Sequence, residues 1–277
     1  MSLTVQQAMM NGTDWLKASG VEEPARDAKR LMAAFLKIEP DRLTLHLHDT
    51  LDDNDEGRFY DVILERMARK PLSHLVGYRD FYKSRFIVSA EVLDPRPDTE
   101  ALVRAAMCEP FSDVLDLGTG TGCILLSLLA ERNEATGIGT DISPTALEIA
   151  GLNAVALGVA SRCDFLQSNW YEYVGGQFDL IVSNPPYIAA DEMAGLAPEL
   201  SYEPRIALTD EGDGLSAYRT ITAGAGAHLK PGGRLMVEIG LTQGKAVSEM
   251  FKKAGFYGIS VLPDLDGRDR VVSGRWP

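Results

Sequence analysis

The chain has 277 residues, 45% hydrophobic and 24% charged, enough to bury a core without disulfide or metal staples. Twenty-seven Lys/Arg against 40 Asp/Glu give a formal charge of -13, unevenly placed: residues 1–90 carry 13 and 14, residues 91–277 carry 14 and 26. So acidic a second part disfavours a nucleic-acid binder, and three cysteines at 108, 123 and 163 make neither a disulfide framework nor a metal cluster with the histidines.

In chain order, Met1 to Gly20 lacks the basic flank and apolar run of an export signal, and no span-length apolar run follows. A reducing, cytoplasmic compartment without membrane attachment is therefore expected. Apolar residues at helical spacing predict helices near 3–17 (Val5, Ala8, Met9, Leu16) and 24–36 (Ala28, Leu31, Met32, Phe35), and near 54–69 (Phe59, Val62, Ile63, Met67). A short further helix is expected at 41–47, making a small bundle. Phe81, Phe86, Val88 and Val92 then favour strands, read as a two-stranded hairpin. Pro95 and Pro97 keep the next segment extended, and Thr99 or Asp98 is expected to cap a helix beginning near Glu100.

From residue 113 strands alternate with helices. Strands are expected at 114–117, 136–140, 178–182, 234–238, 256–262 and 270–274, and helices at 123–129, 144–157, 214–229 and 243–254. This alternation means an α/β fold with a mostly parallel sheet covered on both faces, and the strand-rich tail suggests one antiparallel pairing at its edge.

The loop Asp116-Leu117-Gly118-Thr119-Gly120-Thr121-Gly122 lies between a strand and a helix, where glycines let a ligand approach the backbone. It lacks the Lys-Ser/Thr ending of a triphosphate loop, and its third glycine falls one residue early for a dinucleotide site. A carboxylate two residues before the first glycine would repel a pyrophosphate but receive an ammonium, directly or through water. Asp141, 23 residues after Gly118, stands where a ribose diol is bound, and Asp164 with Phe165 is expected at the adenine. Adenosine, a diol, an ammonium and no phosphate describe S-adenosylmethionine.

Asn184-Pro185-Pro186-Tyr187 directly follows the strand at 178–182. The Asn184 side-chain oxygen and the Pro185 carbonyl can accept from one planar NH2 group, with Tyr187 as a stacking face. Such a clamp aligns a weakly nucleophilic, conjugated nitrogen with a methyl donor and stabilises the positive charge that grows on it.

Together these residues resemble the class I, Rossmann-like methyltransferases, and most closely the HemK-type family, the peptide chain release factor N5-glutamine methyltransferases. The resemblance spans about residues 24–275. It also rests on Pro71-Leu72 with Gly77, Phe81 and Phe86; on Pro95-Arg96-Pro97-Asp98-Thr99-Glu100; and on Tyr202-Glu203-Pro204 with Asp213-Gly214-Leu215. The chain departs from the usual family pattern at Asp94, Asp98 and Asp210-Glu211, all peripheral to the clamp.

The resemblance implies a seven-stranded, mostly parallel Rossmann-like sheet with a helical bundle and a hairpin linker. The domains would be residues 1–72 for substrate recognition, 73–95 for the linker and 96–277 for methyl transfer. It implies S-adenosylmethionine as cofactor, S-adenosylhomocysteine as product, and as substrate the glutamine of the Gly-Gly-Gln loop in class 1 release factors. Asn184, Pro185 and Tyr187 would be catalytic. Asp116, Gly118, Thr119, Gly120, Thr121, Gly122, Asp141, Ile142, Asp164, Phe165 and Asn184 would hold the cofactor. Asn184, Pro185, Pro186, Tyr187, Glu203 and Arg96 would face the substrate, although Arg96 could instead contact the cofactor carboxylate or brace the loop. A monomer without stable nucleic-acid binding is expected. Methylation of adenine N6 or guanine N2 in DNA or RNA stays open at this point, because those bases also present a conjugated NH2.

Overall fold

A computed structural model describes residues 3–277, so Met1 and Ser2, which open both the leader reading and the expected 1–72 domain, lie outside the described residues. The chain divides into two compact units. The first comprises residues 1–78 and 197–202, the second residues 79–196 and 203–277.

The first unit is helical. Helix α1 (Val5–Ala18) starts at a capping box, in which Thr4 Oγ1 accepts from the Gln7 amide while Gln7 Oε1 accepts from the Thr4 amide. Helix α2 (Pro24–Phe35) begins on a proline, which loses nothing there because a first-turn N–H has no helical partner. Helix α3 (Asp53–Met67) is capped by Asp52, which accepts from the Asp55 amide at 2.7 Å. Val5, Leu16, Leu31, Met32, Phe59 and Ile63 form the shared core. Two expectations change. The segment near 41–47 is a 3-10 turn at Leu43–His46, and an unforeseen helix α4 (Leu72–Val76) ends at Gly77 with φ +82°. Within this unit, Arg66 Nε donates to the buried Asp27 at 2.8 Å, and Arg66 and Arg69 both reach Glu199. Tyr202 Oη donates to the Ala68 carbonyl at 2.7 Å, so the returning segment is held by side chains of α3 and its end.

The second unit starts one residue into a hairpin, β1 (Tyr78–Phe81) and β2 (Ser84–Ile87). Phe81 and Phe86 meet edge to face with centroids 6.0 Å apart and enter the main core. A 3-10 turn at Pro97–Thr99 leads into α5 (Glu100–Met107). The remaining elements are β3 (Asp113–Leu117), α6 (Cys123–Glu131), β4 (Thr136–Asp141), α7 (Pro144–Ala156), β5 (Cys163–Gln167), β6 (Phe178–Ser183), α8 (Arg205–Leu208), α9 (Ser216–His228), β7 (Leu229–Glu238), α10 (Gly244–Ala254), β8 (Tyr257–Pro263) and β9 (Asp269–Arg275).

Seven strands form one sheet in the order β5-β4-β3-β6-β7-β9-β8. β3, β4, β5, β6 and β7 pair in parallel. β9 runs antiparallel to both β7 and β8, so the expected single antiparallel pairing at the edge is corrected to two, with the reversed strand inserted one position in. The central strands are apolar on both faces: Leu115, Leu117, Ile181 and Val182 are fully buried, each side chain worth about 1.5–3 kcal/mol. α6 is buried from Cys123 to Leu129, as a helix apolar all round but for Ser127 must be. Chain order reverses between β3 and β6, and at such a switch point the carboxyl ends of the strands open a crevice. Among the described residues no helix is long and apolar enough to cross a membrane.

Candidate active site

The glycine loop follows β3 and turns through left-handed backbone at Gly118, Gly120 and Gly122, with φ of +69°, +54° and +79°. At Gly122 a Cβ would also press on Leu126 of α6 at 2.8 Å, so glycine is required there twice over. The alternating threonines are buried and hold the loop. Thr119 Oγ1 donates to Asp116 Oδ2 at 2.7 Å, and its amide donates to the Thr140 carbonyl at 2.8 Å. The Thr121 carbonyl accepts from Asn153 Nδ2 on α7, whose side chain also closes two hydrogen bonds to the backbone of Ile87. One buried amide thus fastens the glycine loop and the hairpin together.

Asp141 ends β4. Its Oδ2 accepts from the Gly120 amide and its Oδ1 from the Ser143 amide, both at 2.9 Å. A carboxylate has about four lone-pair sites, so acceptor capacity remains for two ribose hydroxyls. Asp116 is fully buried beneath the loop. Oδ2 takes two donors, Thr119 Oγ1 and the Leu125 amide, while Oδ1 has none among the described residues. Burial pushes its pKa up to about 7, against the pull of those two hydrogen bonds. A ligand ammonium, directly or through water, would satisfy that orphaned oxygen. These residues fit S-adenosylmethionine.

Gly118, Gly120, Asp141, Ile142, Asn184 and Pro186 line a single cavity of about 640 Å3, whereas Asp116, Thr119, Thr121 and Gly122 are not among its lining residues and support the loop instead. Asn184 follows β6 at the crevice. Its Nδ2 donates to Thr99 Oγ1 at 3.1 Å, and its Oδ1 is buried with no partner. Among the described residues no donor reaches the Pro185 carbonyl. Thr99 therefore does not cap α5 with its side chain, and Asp98 is spent on Arg270 at 2.8 Å. That corrects the expected cap: the 3-10 turn enters the helix, and both side chains face β6, β7 and β9 instead.

Several expected site residues do not themselves line this cavity. Tyr187 is partly buried against the second core cluster and is not among the residues that line the cavity. Pro185 is buried between two lining residues, Asn184 and Pro186, with its carbonyl still without a donor among the described residues. Arg96 Nη2 reaches both carboxylate oxygens of Glu203, at 2.5 and 2.7 Å, and Glu203 also accepts from the Asp94 amide. Arg96 thus braces Glu203, which is 7% exposed, and neither residue lines the cavity. Asp164 stands inside β5 opposite Ile138 and away from the strand's carboxyl end, and Phe165 packs over Gly139. The residues lining the cavity at that end are Ser168, Asn169 and Trp170. The sheet register, which the sequence does not show, sets them there: Gln167 pairs with Asp141, so the polar and aromatic residues just beyond are level with that carboxylate. Trp170 has φ +55°, a costly conformation for a bulky side chain and one that collects at ligand sites.

Comparison with known proteins agrees in both units. The family described as PrmC N-terminal domain matches residues 7–77, and the one described as methyltransferase small domain matches residues 80–213. A curated protein of Cereibacter sphaeroides named release factor glutamine methyltransferase is 57% identical over 263 residues, covering 95% of each chain. One of the same name from Rhodospirillum rubrum is 40% identical, covering 99% of this chain and 86% of its own. Among solved structures, a methyltransferase from Pyrococcus furiosus superposes with a TM-score of 0.53 at 16% identity, covering 79% of this chain and 98% of that one, which shows a shared fold.

Proposed function

The chain belongs to the family of release factor glutamine methyltransferases, and from that membership we propose that it transfers a methyl group from S-adenosylmethionine to the side-chain amide nitrogen of the glutamine in the Gly-Gly-Gln loop of class 1 peptide chain release factors. The observation that carries this reading is Asn184 Oδ1, a buried acceptor with no donor, in a residue that lines the cavity. A buried acceptor is costly unless a partner arrives, and the NH2 of a glutamine side chain is such a partner.

The chain's residues then divide the work. Gly118, Gly120, Asp141 and Ile142, with Asn169 and Trp170, would hold the cofactor, and Asp116 would receive its ammonium. When bound, S-adenosylmethionine supplies an electrophilic methyl carbon on a positively charged sulfur. Asn184 Oδ1 and the Pro185 carbonyl accept the two N–H bonds of the incoming amide, which orients the nitrogen and stabilises the charge it gains. The N–C bond would form as the S–C bond breaks, leaving S-adenosylhomocysteine, and the acidic surplus proton would then pass to water, so no strong base is called for. Termination factors act on ribosomes, so the reading implies the cytoplasm, and one chain supplies every residue named.

Incubation of a release factor with the protein and S-adenosylmethionine, followed by peptide mass spectrometry, tests this. We expect the mass of one methylene to be added at the loop glutamine, and no labelling when that glutamine is replaced by asparagine. Methyl transfer to DNA or RNA with none to the factor would overturn it.

A further inference from the structure

Glu238 is a fully buried carboxylate that the reaction as described leaves unused. It ends β7, one residue beyond the pair Ser183–Val237, which sets it beside Asn184 at the carboxyl edge of the sheet. Neither of its oxygens closes a hydrogen bond among the described residues. Arg270 on β9, Asp98 and Thr99 before α5, Tyr187 after β6, Tyr218 on α9 and Cys123 on α6 face it. Arg270 is shared out among Asp98 at 2.8 Å and Asp264 at 3.3 Å. The Thr99 hydroxyl accepts from Asn184 Nδ2 at 3.1 Å, so its own proton is free for an acceptor; Thr99 and Tyr187 are the two hydroxyls that favour the Glu238 carboxylate, and neither closes a hydrogen bond on it at rest.

A primary amide can sit in two orientations that exchange its oxygen and its NH2. The one observed, with Nδ2 on Thr99, keeps Oδ1 free as an acceptor; the other would present an NH2 to the NH2 of the substrate. A threonine whose proton is committed elsewhere can only accept, which selects the first orientation. We propose that Glu238 is a positioning residue for methyl transfer: by drawing the Thr99 proton to itself it makes Thr99 accept from Asn184, and so holds Asn184 Oδ1 toward the substrate nitrogen. This rests on the reading of Asn184 as the substrate's acceptor.

Burial raises the pKa of Glu238 to about 7, with the Thr99 hydroxyl and then the Arg270 charge pulling it back. Once protonated, the carboxyl donates toward Thr99, the Thr99 proton turns to Asn184, and the amide reverses. Activity is therefore lost toward acid pH.

The test uses the full chain, a purified release factor and saturating S-adenosylmethionine across neutral pH, with the variants E238Q, T99V and T99S. For the wild type we expect kcat to rise through about pH 7. E238Q should flatten that limb, and T99V should lower kcat about tenfold, with KM for the factor and calorimetric cofactor affinity unchanged. T99S, which keeps the hydroxyl, should restore both kcat and limb. Nuclear magnetic resonance supplies a readout independent of turnover: the Asn184 side-chain NH2 should be protected from exchange in the wild type and lose that protection in T99V. Wild-type kcat and pH limb in both E238Q and T99V would overturn the proposal. Should E238Q fail to fold, the T99V and T99S pair decides. Should the wild type transfer no methyl to the factor, the proposed function fails, and exchange protection that persists in T99V would then overturn this inference separately.

Discussion

Gly214 lies directly against the backbone carbonyl of Tyr187. Its φ is +70°, and a Cβ added there would collide with that oxygen. The same carbonyl accepts from Gln243 Nε2 at 2.9 Å, and the Gly214 carbonyl accepts from that nitrogen at 3.2 Å. Together they fix the Asn184–Tyr187 loop from behind. Gly214→Ala is expected to displace the loop, lowering kcat about 100-fold, since misplacement on the order of 1 Å is that costly. The added Cβ meets backbone rather than a flexible side chain, so the fold is expected to survive with a loss of about 1–3 kcal/mol. Kinetics beside a circular-dichroism melt check both halves; unimpaired turnover would show that the loop does not need this support.

Asn184→Ala is expected to remove turnover by about 100- to 1,000-fold, the usual worth of one preorganised hydrogen-bonding group at a reacting centre. Calorimetric affinity for S-adenosylmethionine should barely change, because the unpartnered Oδ1 is reserved for the substrate nitrogen. Equal loss of both would move Asn184 to the cofactor.

Asp141→Ala should weaken cofactor binding about 10- to 100-fold, the cost of losing charge-assisted hydrogen bonds to a diol. It also frees the Gly120 amide, which donates to Asp141 at 2.9 Å. Unchanged affinity by calorimetry would take Asp141 out of the site.

Asp116 gives a pH prediction in two parts. Its pKa in the folded chain is about 7, raised by burial, so the folded state holds the proton more tightly than the unfolded one. The stability penalty grows from about pH 4 to about pH 7 and is complete above that, on the order of 4 kcal/mol. An ammonium prefers the carboxylate, so cofactor affinity should rise over that upper range. Both donors to Asp116 converge on Oδ2, so an asparagine fits with its NH2 at the unpartnered position. Asp116→Asn should therefore melt higher than the wild type above neutral pH, with a smaller gap in acid, and bind cofactor weakly without pH dependence. Equal melting shifts at both pH values would contradict the buried ionisation.

Asp27→Ala should destabilise the helical unit by about 3 kcal/mol or more, since it leaves the buried Arg66 Nε without its acceptor. Urea unfolding followed by circular dichroism would show this, while cofactor affinity stays as in the wild type. A change below about 1 kcal/mol would mean that Glu199 and the Lys70 carbonyl suffice for Arg66.

What was legible in the sequence was local. The glycine loop and the Asn184 tetrad stand out because strand, loop and helix follow one another within a few residues, so chain context alone sets their position. The partners of Arg96 and Asp98 were not legible: Glu203 is 107 residues from Arg96, and Arg270 reaches Asp98 only because β9 is inserted beside β7. Helix α4 has five residues, too few to show a period. The adenine side was set at Asp164 and Phe165 because composition does not mark where β5 ends; the sheet register does, and it carries the strand on to Gln167. Tyr187 reads as a stacking face in the tetrad, and only the packing of the second cluster shows its ring partly buried there.

The excursion of residues 197–202 has a practical consequence for anyone dissecting the gene. A clone stopped after Tyr78 would encode helices deprived of their last piece, with Arg66 and Arg69 lacking the Glu199 carboxylate. The complementary clone would carry that orphan hexapeptide as a solvent-bathed bulge, open to proteases. Separate expression of the two parts is therefore expected to work only if those six residues are grafted back onto the helices by an artificial linker.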